Sequence, residues 1–378
     1  MIYLDYNATT PVPAEVVSAM IPFFTDRFYN PSSSYFEAQM VGQELAEARK
    51  LMGDLLSVRS DQVIWTSGGT ESNNWALRGS LNYWRGHRQR ILVSTMEHPS
   101  VTETAKAMMS EGIDVKFIPV DARGLIRVDV LDTLLDETTA LVSVMLANNE
   151  IGTIQPVADI AQRAHRVGAL VHTDASQAVG KIPVNMPLLN VDLLTVAGHK
   201  LYAPKGIGAL ILKADLDFPH GLQGGGQEEG RRSGTENVPG IIGLGKAAAL
   251  AQQWFADKGP VKQRALRNQL ENYLTESVPH CRIFGQQIPR LPNTLGLAVD
   301  GWIGGDLLSM CPELRAGTGS ACHSVADEGS PTLGAMGIAP TLARGLVRLS
   351  LGRQTTSAEV LRAAQLLAEA VQGHSGLV

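Results

Sequence analysis

The sequence predicts an α/β fold, with a mostly parallel central sheet covered by helices on both faces and a smaller α+β domain. Two observations carry the first part. Short β-branched runs alternate with helical stretches through most of the chain, and those runs read as buried strands. A third observation sets off the second part. After about Trp254 the pattern gives way to a polar helical stretch, short strand-like pieces and a Gly/Ser-rich region.

In chain order, Pro11 and Pro13 separate the first dozen residues from the following helix, so those residues are expected to pack with the C-terminal part. Buried strands are expected over 63–66, 90–94, 115–118, 140–145, 169–173, 193–196 and 208–212. A helix over 157–167 places Val157, Ile160, Ala161, Ala164 and Val167 on one face. Beyond Trp254 come a polar helix over 262–274, a strand over 293–299 and a loop over 315–331. The last helix opens on Thr356-Ser-Ala-Glu359, a capping box, and Val360, Ala363, Ala364, Leu367 and Val371 then line one face. The expected division is a large domain over 13–254 and a small one built from 1–12 and 255–378. There is no internal repeat, low-complexity tract or long charge block.

Composition narrows the function. The chain has 378 residues, 44% of them hydrophobic, enough to bury a sizeable core. The net charge of −5 and only 5% aromatics argue against a surface built for nucleic acid. Arg85-Gly-His-Arg-Gln-Arg90 reads better as a solvated loop between helix and strand. Three cysteines, Cys281, Cys311 and Cys322, are too few for a disulfide framework, which excludes small secreted scaffolds. The N-terminus does not read as a signal peptide, and the apolar stretch 240–251 is too short and interrupted to span a bilayer. A cytoplasmic protein is the expectation.

Three segments carry chemistry. In 192–210 an apolar strand runs straight into His199-Lys200 and a Gly/Pro-rich turn. A lone lysine is usually a solvated charge. At a strand end, where open α/β sheets place ligands, a partly desolvated lysine can form a Schiff base. In 169–181 another apolar strand ends on Asp174, which suits either an N-cap or the partner of a pyridoxal phosphate (PLP) ring nitrogen. The third segment, Thr66-Ser-Gly-Gly-Thr70, is a glycine turn opening a helix, able to receive an anion on backbone N–H groups. It lacks the lysine and spacing of a nucleotide P-loop.

Together these segments resemble the PLP-dependent cysteine desulfurases of the NifS/IscS type, a branch of the class V aminotransferases with fold type I. The resemblance runs over nearly the whole chain in order. It includes Tyr3-Leu-Asp-Tyr-Asn-Ala-Thr-Thr10, Asn30-Pro-Ser-Ser33, Thr66-Ser-Gly-Gly-Thr-Glu-Ser-Asn-Asn74, Glu97-His98 and Asn148-Asn-Glu-Ile-Gly152. His172-Thr-Asp-Ala-Ser-Gln177, Gly198-His-Lys200, 224–235, Gly319-Ser-Ala-Cys322 and 347–353 complete it.

The resemblance implies roles residue by residue. Lys200 would hold PLP and later move the Cα proton of the substrate. His98 would stack on the ring and serve in acid–base steps. Asp174 would pair with the ring nitrogen, and Asn149 and Gln177 with the ring hydroxyl oxygen. Gly69, Thr70 and His199 would contact the phosphate, joined by Thr235 across a homodimer interface. Arg348 would take the carboxylate of L-cysteine, a task suited to its bidentate fork, with Asn149 also at the substrate. Cys322, in a polar glycine-rich segment, would accept the sulfur as a persulfide and pass it to an acceptor protein. Cys281 and Cys311 read as packing residues. No metal is implied. L-alanine would be the second product.

Two positions depart from the family pattern. Ala197 stands where a serine commonly binds the phosphate, which is expected to weaken PLP retention modestly. Ser34-Tyr-Phe36 stands where a histidine often follows Asn-Pro-Ser-Ser, a change with no physical account. The chain ends at Val378, soon after its last helix, whereas longer relatives use a tail to dock an iron–sulfur scaffold. The acceptor is therefore open between iron–sulfur assembly and nucleic-acid thio-modification. Fold alone also leaves a selenocysteine lyase or a class V aminotransferase as alternatives. Cys322 argues against a simple aminotransferase.

Overall fold

The structure is a computed structural model and describes residues 1–318 and 329–373. Its strands are β1 (Ile2–Tyr3), β2 (Val63–Thr66), β3 (Arg90–Ser94), β4 (Asp114–Ile118), β5 (Thr139–Ser143) and β6 (Leu170–Asp174). There follow β7 (Leu193–Ala197), β8 (Gly208–Leu212), β9 (Cys281–Ile283), β10 (Thr294–Val299), β11 (Leu314–Arg315) and β12 (Val347–Ser350).

Strands β2 to β8 form one sheet in the order β2-β8-β7-β6-β5-β3-β4. Neighbours are parallel except at β8, which runs antiparallel to both β2 and β7. Connection length explains the exception. A parallel return needs a crossover of about a dozen residues, and the turn over 198–207 is too short for one.

Side chains alternate across each strand. Ile64, Ile91, Val93, Leu141 and Leu210 share a cluster with the helices Gly69–Trp84 and Pro99–Ser110. Val63, Trp65, Leu92, Val142, Val171 and Ile211 share another with the helices Phe36–Leu56, Val157–Arg166 and Val238–Ala256. Both faces of the sheet are thus covered, which is why its strands read as unbroken apolar runs.

Strand β5 stops at Ser143, short of the expected 145. The chain still follows β6, since the Val144 and Leu146 N–H groups donate to His172 O and Asp174 O at 3.1 and 2.9 Å. It leaves the ladder there because Met145 and Ala147 line a cavity.

A second, antiparallel sheet has the order β12-β10-β9. Leu295, Leu297, Val347 and Leu349 bury one face of it against Leu270 and Leu274 of the helix Gly259–Ser277 and Val360 and Leu367 of the helix Ser357–Gly373. Ile2 and Leu4 join this cluster, and β1 pairs in parallel with β11. The capping box forms: the Thr356 N–H donates to Glu359 Oε2 at 2.8 Å and the Glu359 N–H to Thr356 Oγ1 at 3.3 Å. Cys311 is fully buried in this cluster and Cys281 packs against it, where burial pushes the Cys281 thiol up to about 11. Among the described residues no helix is long and apolar enough to cross a membrane.

Candidate active site

The carboxyl ends of the parallel strands open on a cavity of about 270 Å³, the edge at which open α/β sheets take ligands. His98 follows β3, Asn149 follows β5, Asp174 ends β6, and His199 and Lys200 follow β7; all line the cavity. Gly69 and Thr70 open the helix after β2, Arg348 reaches in from β12, and Asn7 from the N-terminal segment.

A single helical turn, Gly198–Lys200, aims the lysine. Gly198 is required there, because a Cβ would stand 2.7 Å from Ile207 O. Lys200 Nζ donates to the main-chain oxygens of Asn7 at 2.5 Å and Ala8 at 2.7 Å. Asp174 is buried and accepts from Asn73 Nδ2 at 2.8 Å and from the Ser176 N–H at 2.9 Å.

His98 caps the helix Pro99–Ser110, its Nδ1 accepting from the Ser100 N–H at 3.2 Å, with Ser100 Oγ 2.9 Å away. Ser100 Oγ accepts in turn from Asn73 Nδ2 at 2.8 Å. Asn73 therefore joins Asp174 to His98. With Nδ1 an acceptor, the network assigns the ring proton to Nε2.

One end of the cavity suits a dianion. No side chain caps the helix at Gly69, so its N-terminal dipole is free for an anion. Ser176 Oγ is buried with no partner among the described residues. A Cβ on Gly69 would lie 3.4 Å from that hydroxyl and 3.2 Å from Ala197 Cβ, so a side chain there would fill the cradle. His199 bonds Thr9 Oγ1 at 3.2 Å, and burial beside Lys200 lowers it to about 4, so it is neutral near pH 7.

At the other end Arg348 is held by Asp5 at 2.7 Å and by Asn149 O at 3.3 Å. Its Nε is buried without a partner among the described residues. Beside His98, burial pushes Glu97 up to about 8, leaving an uncharged acid that accepts from the Met145 N–H at 2.7 Å.

Residues 2–362 match the aminotransferase class-V family. The chain belongs to it. Within the family it is 42% identical over 375 residues to a cysteine desulfurase of Trichormus azollae, covering 98% of this chain and 93% of that one. It is 42% identical over 364 residues to the cysteine desulfurase NifS of Azotobacter vinelandii, covering 96% and 90%. Among solved structures it superposes on a NifS-like protein with a TM-score of 0.91 at 33% identity, over 98% of this chain and 99% of the other.

Most of the residues singled out in the sequence of this class-V enzyme meet at that cavity: Lys200, His98, Asp174, Asn149, Gln177, His199, Gly69, Thr70 and Arg348. Thr235 does not; it lines a second cavity of about 210 Å³ with Ser67, Glu228 and Arg232. Cys322 lies outside the described residues. On either side of it the chain is tied beside the cavity. The Gly317 N–H donates to Arg348 O at 3.1 Å, and Ser330 Oγ donates to Glu150. Sequence reasoning missed Asn7, Asn73, Ser100, Ser176 and Lys181. Ser100 lies two residues from His98, a spacing that could have drawn attention to it.

Proposed function

We propose that the protein is a PLP-dependent cysteine desulfurase whose active site is the cavity at the carboxyl edge of the large sheet. The observation that supports this most is the convergence of a lysine, a buried carboxylate, a histidine and an arginine on one cavity with an uncapped helix start. The donor set fits PLP. Gly69, Thr70, Ser176 and His199 would hold the phosphate, Asp174 the ring nitrogen, and Asn149 and Gln177 the ring oxygen. Bound there, the cofactor supplies an electron sink for the amino-acid carbons.

The protein's own groups do the rest. Arg348, steadied by Asp5, binds the L-cysteine carboxylate through its remaining N–H groups. Lys200 carries the cofactor and then moves the substrate Cα proton, its amine kept in place by the Asn7 and Ala8 carbonyls. His98 presents Nε2, since its Nδ1 is occupied by Ser100. The net change is L-cysteine plus the Cys322 thiol giving L-alanine plus a Cys322 persulfide, so the sulfur leaves as a neutral atom and no other oxidant enters. An acceptor protein takes that sulfur for iron–sulfur assembly or thio-modification.

The reading carries a domain division, with residues 13–254 binding the cofactor and 1–12 with 255–378 presenting Arg348 and Cys322. It also carries a cytoplasmic homodimer in which Thr235 completes the partner's phosphate site. Large apolar side chains left exposed in one N-terminal stretch, Phe24, Phe28 and Phe36 among them, support such an interface. Incubating the PLP-loaded protein with L-cysteine and a thiol reductant should give alanine and sulfide in equal amounts. Absence of both sinks the assignment. Cys322→Ser should keep bound PLP and stop sulfide release, and Lys200→Ala should lose the covalently held cofactor's visible band.

A further inference from the structure

Lys181 is a buried lysine to which the mechanism assigns nothing. It stands four residues beyond Gln177, in the turns that follow β6, and is 6% exposed. Its Nζ donates to Asn7 Oδ1 at 2.8 Å and Gln177 Oε1 at 2.5 Å, both uncharged amide oxygens. No carboxylate pairs with it among the described residues. The charges acting on it are Lys200 and Arg348, and His199 also feels it. The Asp5 carboxylate is engaged by Arg348. Burial, then Lys200, then Arg348 lower its pKa well below the usual lysine range. Two amide oxygens face its N–H groups.

Both acceptors are amides whose orientation matters. Gln177 gives its oxygen to Lys181 and one Nε2–H to Asn7 O at 3.0 Å, leaving the second N–H for a ligand in the cavity that Gln177 lines. Asn7 Oδ1 also accepts from Asn293 Nδ2 at 3.0 Å, while its Nδ2 donates to Asn149 O at 3.0 Å and Thr294 Oγ1 at 2.9 Å. The Asn7 main-chain oxygen in turn receives Lys200 Nζ. An amide turned over by 180° keeps its shape and reverses its polarity, so a donor held on the oxygen is what fixes it.

We propose that Lys181 is a positioning residue of this active site, holding the Gln177 amide so that an N–H group rather than its oxygen faces the cofactor. The proposal rests on the PLP reading above. Its effect passes through Gln177, whose N–H stabilises an ionised ring oxygen and thereby sets the acidity of the bound cofactor.

The test compares PLP-loaded wild type, Lys181→Met, Gln177→Leu and the double variant. What is read is the pH midpoint of the cofactor's visible absorption. Loss of one charge-assisted hydrogen bond should move that midpoint upward by about one pH unit in Lys181→Met. Gln177→Leu should give a similar rise, and the double variant no more than Gln177→Leu alone. A wild-type midpoint in Lys181→Met, or shifts that add in the double variant, overturns the proposal. Where Lys181→Met does not fold, Lys181→Leu takes its place with the same outcomes. A wild type that shows no visible band with PLP overturns the cofactor reading and this proposal with it. A wild-type band with an unmoved variant midpoint overturns this proposal alone.

Discussion

Ser176 Oγ is a hydroxyl buried without a partner among the described residues, beside Gly69 and Ala197 at the anion end of the cavity. Ala197 on its own reads as a lost phosphate contact; under the PLP reading Ser176, in the turn after β6, would restore one. Ser176→Ala should therefore weaken PLP binding to the apoenzyme about tenfold or more, the worth of a hydrogen bond to a charged group, as measured by equilibrium dialysis. Unchanged affinity would mean that the hydroxyl does not touch the phosphate. Asp174 and Lys200 were legible in the sequence because one ends an apolar strand and the other closely follows one. Asn73 was not, because its partners come from other elements, and Ser176 was not, because only the packed fold leaves its hydroxyl buried beside Gly69. Asn73 reaches Ser100 at 2.8 Å and Asp174 at 2.8 Å only after helix and sheet have packed.

At the scale of elements, β2, β3 and β8 fall where β-branched runs bounded by turn residues put them. Burial on both faces makes such strands plain in a sequence. The sheet order is not plain, since β8 is inserted between β2 and β7 by long-range pairing that leaves no local signal. The end of β5 was equally hidden, because it is set by the cavity rather than by propensity. The capping box of the last helix is local and was legible. Thr356→Ala removes the hydroxyl that accepts from the Glu359 N–H, and should cost about 1 kcal/mol. Urea unfolding should show a lower midpoint at an unchanged slope; an unmoved midpoint would mean that the cap adds nothing to the folded state.

For the whole molecule, buried titratable groups shape stability against pH. Glu97 is raised from 4.5 to about 8 by burial, so its contribution is full below about 4.5 and is lost as pH rises toward 8. His172 is lowered from 6.5 to about 4 by burial, so its contribution is full above about 6.5 and is lost as pH falls toward 4. Glu97→Gln should therefore flatten the loss of stability between pH 6.5 and 8 seen in chemical denaturation, and an equally steep fall would show Glu97 ionised in the native state. Replacing Phe28 and Phe36, 67% and 70% exposed, by aspartate should shift sedimentation from dimer to monomer and weaken PLP binding. A variant that stays dimeric would place the interface elsewhere. The defining event is where the sulfur goes after one turnover. The decisive measurement is mass spectrometry of the PLP-loaded protein after a single equivalent of L-cysteine, without reductant. It should find one extra sulfur on the Cys322 peptide and one equivalent of alanine. Alanine without sulfur on Cys322, or the sulfur on Cys281 or Cys311, would contradict it.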